Sequence, residues 1–300
     1  MGIEFRNYKG GPGFSDDFHK VRDFLIRISS RGLTSVCFMW ERWEWAFSFT
    51  SLDAENLSKI GIWEDGGRIV GLATYEDRPG TVFFCLDREY GALKREMLSY
   101  ALANLGRDGV IKAAIYDDDP AFQKEASLLG MRPTQHKDHR SIMYLEDGVP
   151  GYSLPEGYRI CSLLGNSDIL QYNRVLWRGF NHGVDPPEDE DTIMSRKYSL
   201  SGPHLKLDLN IAVVSPEGNF VSYCGMWYDE STDYAFVEPV ATDPDYRMKG
   251  LGKAAVLEGI KRSSLLGAKK ALVGSSQQFY FNIGFRPMPG ATFWEKSCGK

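Results

Sequence analysis

The segment VEPVATDPDYRMKGLGKAAVLEGI, residues 237–260, decides the fold, because it runs a β-rich stretch through a glycine-containing turn into a helical one. Asp243-Pro244-Asp245 ends the strand, and Tyr246-Arg247-Met248-Lys249-Gly250-Leu251-Gly252 carries the chain into the helix. Glycines at 250 and 252 let the backbone turn tightly and approach a ligand without Cβ interference. Free N–H groups joined to a helix's first turn make a cradle for an anion. Arg247 and Lys249 are expected to add positive charge at its mouth, a chemistry that suits a pyrophosphate. The spacing alone also fits a purely structural turn. It lacks the G-x-G-x-x-G of a dinucleotide site, and the chain has no G-x-x-x-x-G-K-S/T loop.

Working outward, the elements around this segment occur twice. The stretch 210–230 reads as a hairpin turning at Pro216-Glu217-Gly218, followed by strand 234–242, helix 252–266, strand 270–276 and a short helix 277–283 stopped by Gly284. The first half reads as strand 2–9, a helix with Val21, Phe24, Leu25 and Ile28 on one stripe, and a hairpin at Asp65-Gly66-Gly67. Strand 81–87, a helix from Leu93 to Leu105, strand 110–116 and helix 120–129 follow. The small helices end in nearly the same words, Leu129-Gly130-Met131-Arg132-Pro133 and Ile283-Gly284-Phe285-Arg286-Pro287, with the glycines 154 residues apart. A period of that length matches a duplicated domain, not a solenoid unit. Gly148-Val149-Pro150-Gly151 is the expected junction, giving domains 1–149 and 150–300.

Three hundred residues, 43% hydrophobic and 25% charged, describe an ordinary two-domain globular protein. With 35 basic and 40 acidic side chains, the net charge of −5 offers no large positive field for nucleic acid. Cys37, Cys85, Cys161, Cys224 and Cys298 form no C-x-x-C pair and are expected to be reduced. The five histidines build no zinc signature, and His136 and His139 fall in a polar stretch that reads as a loop, so no metal site is expected. Neither a membrane-spanning run nor a signal-peptide pattern is present, and a cytoplasmic protein without membrane association is expected.

Arg247-x-x-Gly250-x-Gly252 resembles the acetyl-CoA pyrophosphate motif of the GNAT N-acetyltransferase superfamily, Q/R-x-x-G-x-G/A. The strand carrying Glu238 looks like the family's fourth strand, and Phe279-Tyr280-Phe281-Asn282-Ile283-Gly284-Phe285 looks like its later helix. The element order resembles the family in both halves, while the cofactor motif is clean only in the second. The resemblance implies an α/β (α+β) fold of two tandem GNAT-like domains, each a mixed, mostly antiparallel twisted sheet flanked by helices. It implies acetyl-CoA as co-substrate, lying along strand residues Val240, Ala241 and Thr242, with its pyrophosphate at Arg247, Met248, Lys249, Gly250, Leu251, Gly252 and Lys253. Direct transfer to a primary amine of a soluble small-molecule or peptide acceptor is the implied reaction, by a monomer or a homodimer. A non-catalytic acyl-CoA-binding sensory or interaction protein is the alternative.

Tyr280 is then the expected acid for the departing thiolate, although beside Phe279 and Phe281 it also reads as a core aromatic. Glu238 is the expected general base, directly or through water; its other reading is a polar strand-end residue. The acidic run Asp185, Glu188, Asp189, Glu190 and Asp191 after Trp177, Phe180 and His182 reads either as a solvated loop or as a selector of cationic acceptors. In the first half Arg88-Glu89-Tyr90-Gly91-Ala92-Leu93 ends on leucine where the pattern needs glycine, and Ala126 stands where Tyr280 would be. That half is expected to be a degenerate copy, structural or a wall of the acceptor site. The aromatic run WERWEW, residues 40–45, either braces its core or lines a pocket.

Overall fold

The computed structural model describes residues 2–30 and 37–297, so Cys298 lies outside the described residues. The chain divides into two compact units, Met1–His139 with Pro289–Lys300, and Arg140–Met288. This division differs from one at Gly148-Val149-Pro150-Gly151, and the reason lies in two long strands.

In the first unit β1 (Ile3–Asn7), β2 (Gly61–Asp65), β3 (Arg68–Thr74) and β4 (Thr81–Leu86) pair antiparallel in sequence, and β4 pairs parallel with β5 (Val110–Tyr116). The helices of this unit are α1 (Asp16–Ser29), α2 (Trp40–Phe47), α3 (Lys94–Asn104) and α4 (Pro120–Leu128). The last strand, β12 (Arg286–Ser297), completes the sheet by pairing Ala291 to Ser297 with β5. Strand β6 (Arg132–Tyr144) leaves this unit, and its residues Ser141 to Tyr144 pair with β11 (Lys270–Val273) of the second. That sheet continues through β10 (Tyr234–Thr242), β9 (Phe220–Tyr228), β8 (Ile211–Val214) and β7 (Arg159–Ser162). The pairing pattern is the same in both, with the parallel pair between the fourth and fifth strands. Each unit takes its sixth strand from a chain segment that a cut at 149/150 would assign to the other.

Local chemistry explains the elements. Ser15 caps α1 by accepting the Phe18 N–H, Asp16 and Asp17 fill the positive first turn, and Val21, Phe24, Leu25 and Ile28 are buried. The WERWEW run is the helix α2, with Trp40 and Trp43 fully buried and Trp43 stacked near Phe18 and Phe47, so it braces the core of the first unit. In the second unit α5 (Ile169–Gly179) is capped by Asp168 and packs Tyr172, Val175 and Leu176 on one face of the sheet. Helix α7 (Leu251–Leu265) covers the other with Leu251, Ala255, Val256, Leu257 and Ile260. The stretch holding His136 and His139 is strand β6, not a loop; its polar side chains hide the period-two signal because most of that segment is solvent-facing. His136 lies 5.0 Å from the Phe293 ring, a packing contact. Cys37, Cys85, Cys161 and Cys224 are free thiols. Among the described residues no helix is long and apolar enough to cross a membrane.

Candidate active site

The parallel pair in the second unit is short. Tyr234 to Val237 of β10 match Lys270 to Val273 of β11, and beyond Val237 only β10 continues, so its β11-side edge has no strand partner through Thr242 among the described residues. A register shift against β9 between Val237 and Val240, at the cis Glu238-Pro239 bond, re-aims the strand. Val240 and Thr242 are half-buried on one face, whereas Ala241 points the other way, 3% exposed, into the core beneath α5; Glu238, also half-buried, lies within the shift.

At the end of β10, Asp243 and Asp245 form a tight turn with Pro244–Tyr246, and Met248 (φ 62°) and Gly250 (φ 78°) take left-handed conformations that deliver the chain to α7. Gly250 is the N-cap and supplies no side chain, so no side-chain cap bonds the helix's positive end among the described residues. The backbone N–H groups of Met248, Lys249, Gly250, Leu251, Gly252 and Lys253 have no hydrogen-bond partner among the described residues. Gly252 sits where a Cβ would come within 3.0 Å of Thr242 Oγ1 and 3.6 Å of the Phe279 ring. A run of unpaired donors beside a strand edge without a neighbour is an anion-binding arrangement with room for an extended chain next to it. Leu251 contributes only backbone, since its side chain is buried in the core, while Met248 is fully exposed and Lys249 Nζ lies 4.9 Å from the Tyr246 ring.

Arg247, expected to add charge at the cradle mouth, is exposed and has its guanidinium engaged. Its guanidinium donates to the Thr242 carbonyl at 3.2 Å, the Gly179 carbonyl at 3.0 Å and Asn181 Oδ1 at 2.9 Å. It ties the end of α5 to the end of β10, because carbonyls left over at a helix C-terminus attract a cation.

Helix α8 (Gln278–Asn282) packs Phe279 by Gly252 and buries Tyr280, 8% exposed, between Phe279 and Phe285. The Tyr280 hydroxyl has no hydrogen-bond partner among the described residues. Burial pushes its pKa well above the usual phenol value, and the nearby Cys224 and Glu238 push in the same direction. Tyr280 and Glu238 are thus brought within electrostatic reach of each other. The acidic run is dispersed: Asp189 caps α6 (Glu190–Tyr198) by accepting the Thr192 N–H at 2.9 Å, which lowers its pKa, and the other carboxylates are exposed or half-exposed. His182 lies 5.2 Å from the Trp177 ring. No group of metal-ligating side chains occurs among the described residues.

One part of the site escapes sequence reasoning. Arg178, on α5, donates from Nε to Asp243 Oδ2 at 2.5 Å, and from Nη2 to Asp243 Oδ1 at 3.0 Å and Asp245 Oδ2 at 2.5 Å. Asp243 is 1% exposed and also accepts the Asp245 N–H at 3.1 Å. Burial pushes its pKa up, but the Arg178 hydrogen bonds and charge outweigh this and hold it below the ordinary value. The only sequence signal was the Asp-Pro-Asp turn; its partner stands 65 residues earlier.

The first unit has the matching wedge, since β4 and β5 pair only from Thr81 to Phe83 and then separate. It is filled. Lys94 Nζ bonds Asp119 Oδ1 at 2.6 Å, and with Phe84, Leu86, Tyr116 and Phe122 the pair leaves a cavity of about 130 Å³. Leu93, where a second glycine would stand, is buried, and Ala126 offers no hydroxyl.

The sequence profile of the acetyltransferase (GNAT) family matches residues 172–285, which spans the wedge, the cradle and Tyr280. No curated protein sequence matches the chain. Among solved structures, a tandem GNAT protein from the clavulanic acid biosynthesis pathway, solved without AcCoA, superposes with a TM-score of 0.62 at 14% identity, covering 100% of this chain and 99% of that one. A GCN5-related N-acetyltransferase from Sphaerobacter thermophilus gives 0.60 at 13% identity, covering 99% and 96%. N-myristoyltransferase of Saccharomyces cerevisiae, with bound myristoyl-CoA and inhibitors, gives 0.56 at 13% identity, covering 98% and 80%. At such identities these likenesses speak to the fold. Together with the repeated sheet order, they show a tandem GNAT-like fold, and residues 172–285 match the acetyltransferase (GNAT) family.

Proposed function

We propose that the chain is an N-acyltransferase that moves an acetyl group from acetyl-CoA directly to a primary amine of a soluble small-molecule or peptide acceptor, using the second unit. The observation that carries this reading is the run of unpaired N–H groups over residues 248–253 beside the partnerless edge of β10. The donors suit a pyrophosphate, and the edge over Val240, Ala241 and Thr242 suits the amide groups of a pantetheine arm. Acetyl-CoA supplies the activated thioester; the residues of the chain hold, orient and move protons.

Two groups divide the proton work. Glu238, half-buried on β10 within the register shift, is suited to accept a proton from an incoming ammonium, directly or through water. Tyr280, kept protonated by its buried surroundings, is suited to donate one to the departing sulfur. Proximity of donor and acceptor supplies most of the remaining acceleration.

Calorimetric titration with acetyl-CoA is expected to give one site per chain, because the wedge of the first unit is narrowed to about 130 Å³ beside the Lys94–Asp119 pair. No binding to folded protein overturns the proposal, and a second site overturns the assignment of the first unit as degenerate. Tyr280→Phe is expected to lower kcat about a hundredfold with acetyl-CoA affinity unchanged. The ring contacts persist, so stability should move by less than about 1 kcal/mol. An unaltered kcat removes Tyr280 from the reaction.

A further inference from the structure

The connection from α5 to α6, residues 180–189, starts against the end of β10. Gly179 permits the approach, since a Cβ there would meet Ala241 Cβ at 2.6 Å and the Thr242 nitrogen at 2.9 Å. The chain then reverses at Asn181, whose φ of 62° is left-handed. The Asn181 N–H donates to the Arg178 carbonyl and the His182 N–H to the Trp177 carbonyl, each at 3.0 Å. From how this reversal is held, we propose that Arg247 is a positioning residue. It sets the α5–α6 connection as a wall beside the open edge of β10, and its guanidinium stays there when the cradle is occupied instead of passing to the pyrophosphate. The inference rests on the acyl transfer proposed above for what the wall faces, though not for the clamp itself.

Three acceptors meet the Arg247 guanidinium. Nε donates to the Thr242 carbonyl, and Nη2 to the Gly179 carbonyl and to Asn181 Oδ1. Bonds from a charged donor are strong ones, and the Gly179 carbonyl stands at the negative end of α5, where a cation is favoured. The connection is held further on by Arg178 Nη1, which donates to the Val184 carbonyl at 3.1 Å, and by Asn173 Nδ2, which donates to the Pro187 carbonyl at 2.8 Å. Arg178 also grips Asp243 and Asp245, so it and Arg247 both join the connection to the turn that leads into α7. Between these ties stand Phe180, 47% exposed, and Val184, 69% exposed, the side chains whose placement the two arginines decide.

The phosphates have other charges to meet. The first turn of α7 holds no acidic side chain, and neither Lys249 nor Lys253 pairs with a carboxylate among the described residues. A cation at the positive end of a helix is unfavourable until an anion arrives beside it. These two lysines and the unpaired backbone N–H groups are therefore matched to phosphate oxygens, whereas Arg247 is matched to carbonyls and an amide. Moving its guanidinium to the cradle would leave all three acceptors without their charged donor.

Amide hydrogen exchange of the full chain over residues 180–187, with and without acetyl-CoA, tests this. Arg247→Met is expected to speed exchange there by at least about tenfold, while acetyl-CoA affinity by calorimetry stays within about threefold of the parent. Asn181→Gly keeps the left-handed turn and removes only Oδ1, so part of the same acceleration is expected. Asn181→Asp keeps the acceptor and should leave exchange slow. In the parent, saturating acetyl-CoA is expected to leave exchange over 180–187 as slow as before or slower. Faster exchange on adding acetyl-CoA overturns the proposal, because the guanidinium has then left for the phosphates. Unchanged exchange in Arg247→Met overturns it too, as does a tenfold or larger loss of acetyl-CoA affinity in that variant. If the parent binds no acetyl-CoA, the acyl-transfer reading falls, and exchange in Arg247→Met alone decides whether the clamp stands.

Discussion

Gly252→Trp is expected to weaken acetyl-CoA binding by at least about a thousandfold, roughly 4 kcal/mol, without unfolding the second unit. The argument is steric and local. A Cβ at this position already meets Thr242 Oγ1 at 3.0 Å and the Phe279 ring at 3.6 Å, so a large side chain must turn outward, over the unpaired N–H groups of α7's first turn. There it would fill the space that a pyrophosphate needs. The helix itself tolerates the change, since position 252 lies inside α7 and a non-glycine residue there restricts the unfolded chain. Gly252→Ala grades the effect. Thr242 Oγ1 bonds Ser222 Oγ at 2.9 Å and must yield by a few tenths of an ångström, so a loss nearer to tenfold is expected. Calorimetry on both variants, with circular dichroism as the check on folding, reads the result. Full affinity in folded Gly252→Trp would mean that the cradle is not where acetyl-CoA docks.

What could be read from the sequence follows from how local its causes are. Gly250 and Gly252 act through their own backbone, and the alternation of Val240, Ala241 and Thr242 is a property of one strand, so all appear in a window of a few residues. The duplicated order of elements was visible for the same reason, and the structure repeats it strand for strand. The division of the chain was not visible. Residues 135–140 are polar on both faces, which conceals a strand, and nothing near Ala291 to Ser297 announces that their partners are Val110 to Tyr116. The contacts of Arg247 were not visible, because the glycine motif around it is local, whereas the carbonyl of Gly179 and the amide of Asn181 that engage its side chain come from another helix end. A motif identifies the backbone it shapes more reliably than the destination of a long side chain.

The same distinction sets the second large effect. Arg178→Met is expected to destabilise the second unit by about 3–5 kcal/mol near neutral pH, because it leaves Asp243 ionised and buried without its partner. In the parent protein the Asp243 carboxyl titrates below its ordinary value, so the pair's contribution is fully present above the unfolded-state value near 3.9 and is lost as pH falls below it. In Arg178→Met the sign reverses. The unpaired carboxyl is raised by burial, the folded state gains from protonating it, and the deficit relative to the parent should shrink as pH falls toward about 4. Denaturant unfolding at neutral and mildly acid pH measures both the loss and its slope. Arg178→Met/Asp243→Leu should recover much of the stability, since an apolar pair in a buried site is often no worse than an ion pair. It should not recover acetyl-CoA binding in full, because the Asp245 N–H then loses its acceptor on Asp243 and the turn into α7 loses its anchor on α5. Recovery of stability together with full binding would show that the network serves the core alone; recovery of stability without binding would assign it the positioning of the cradle.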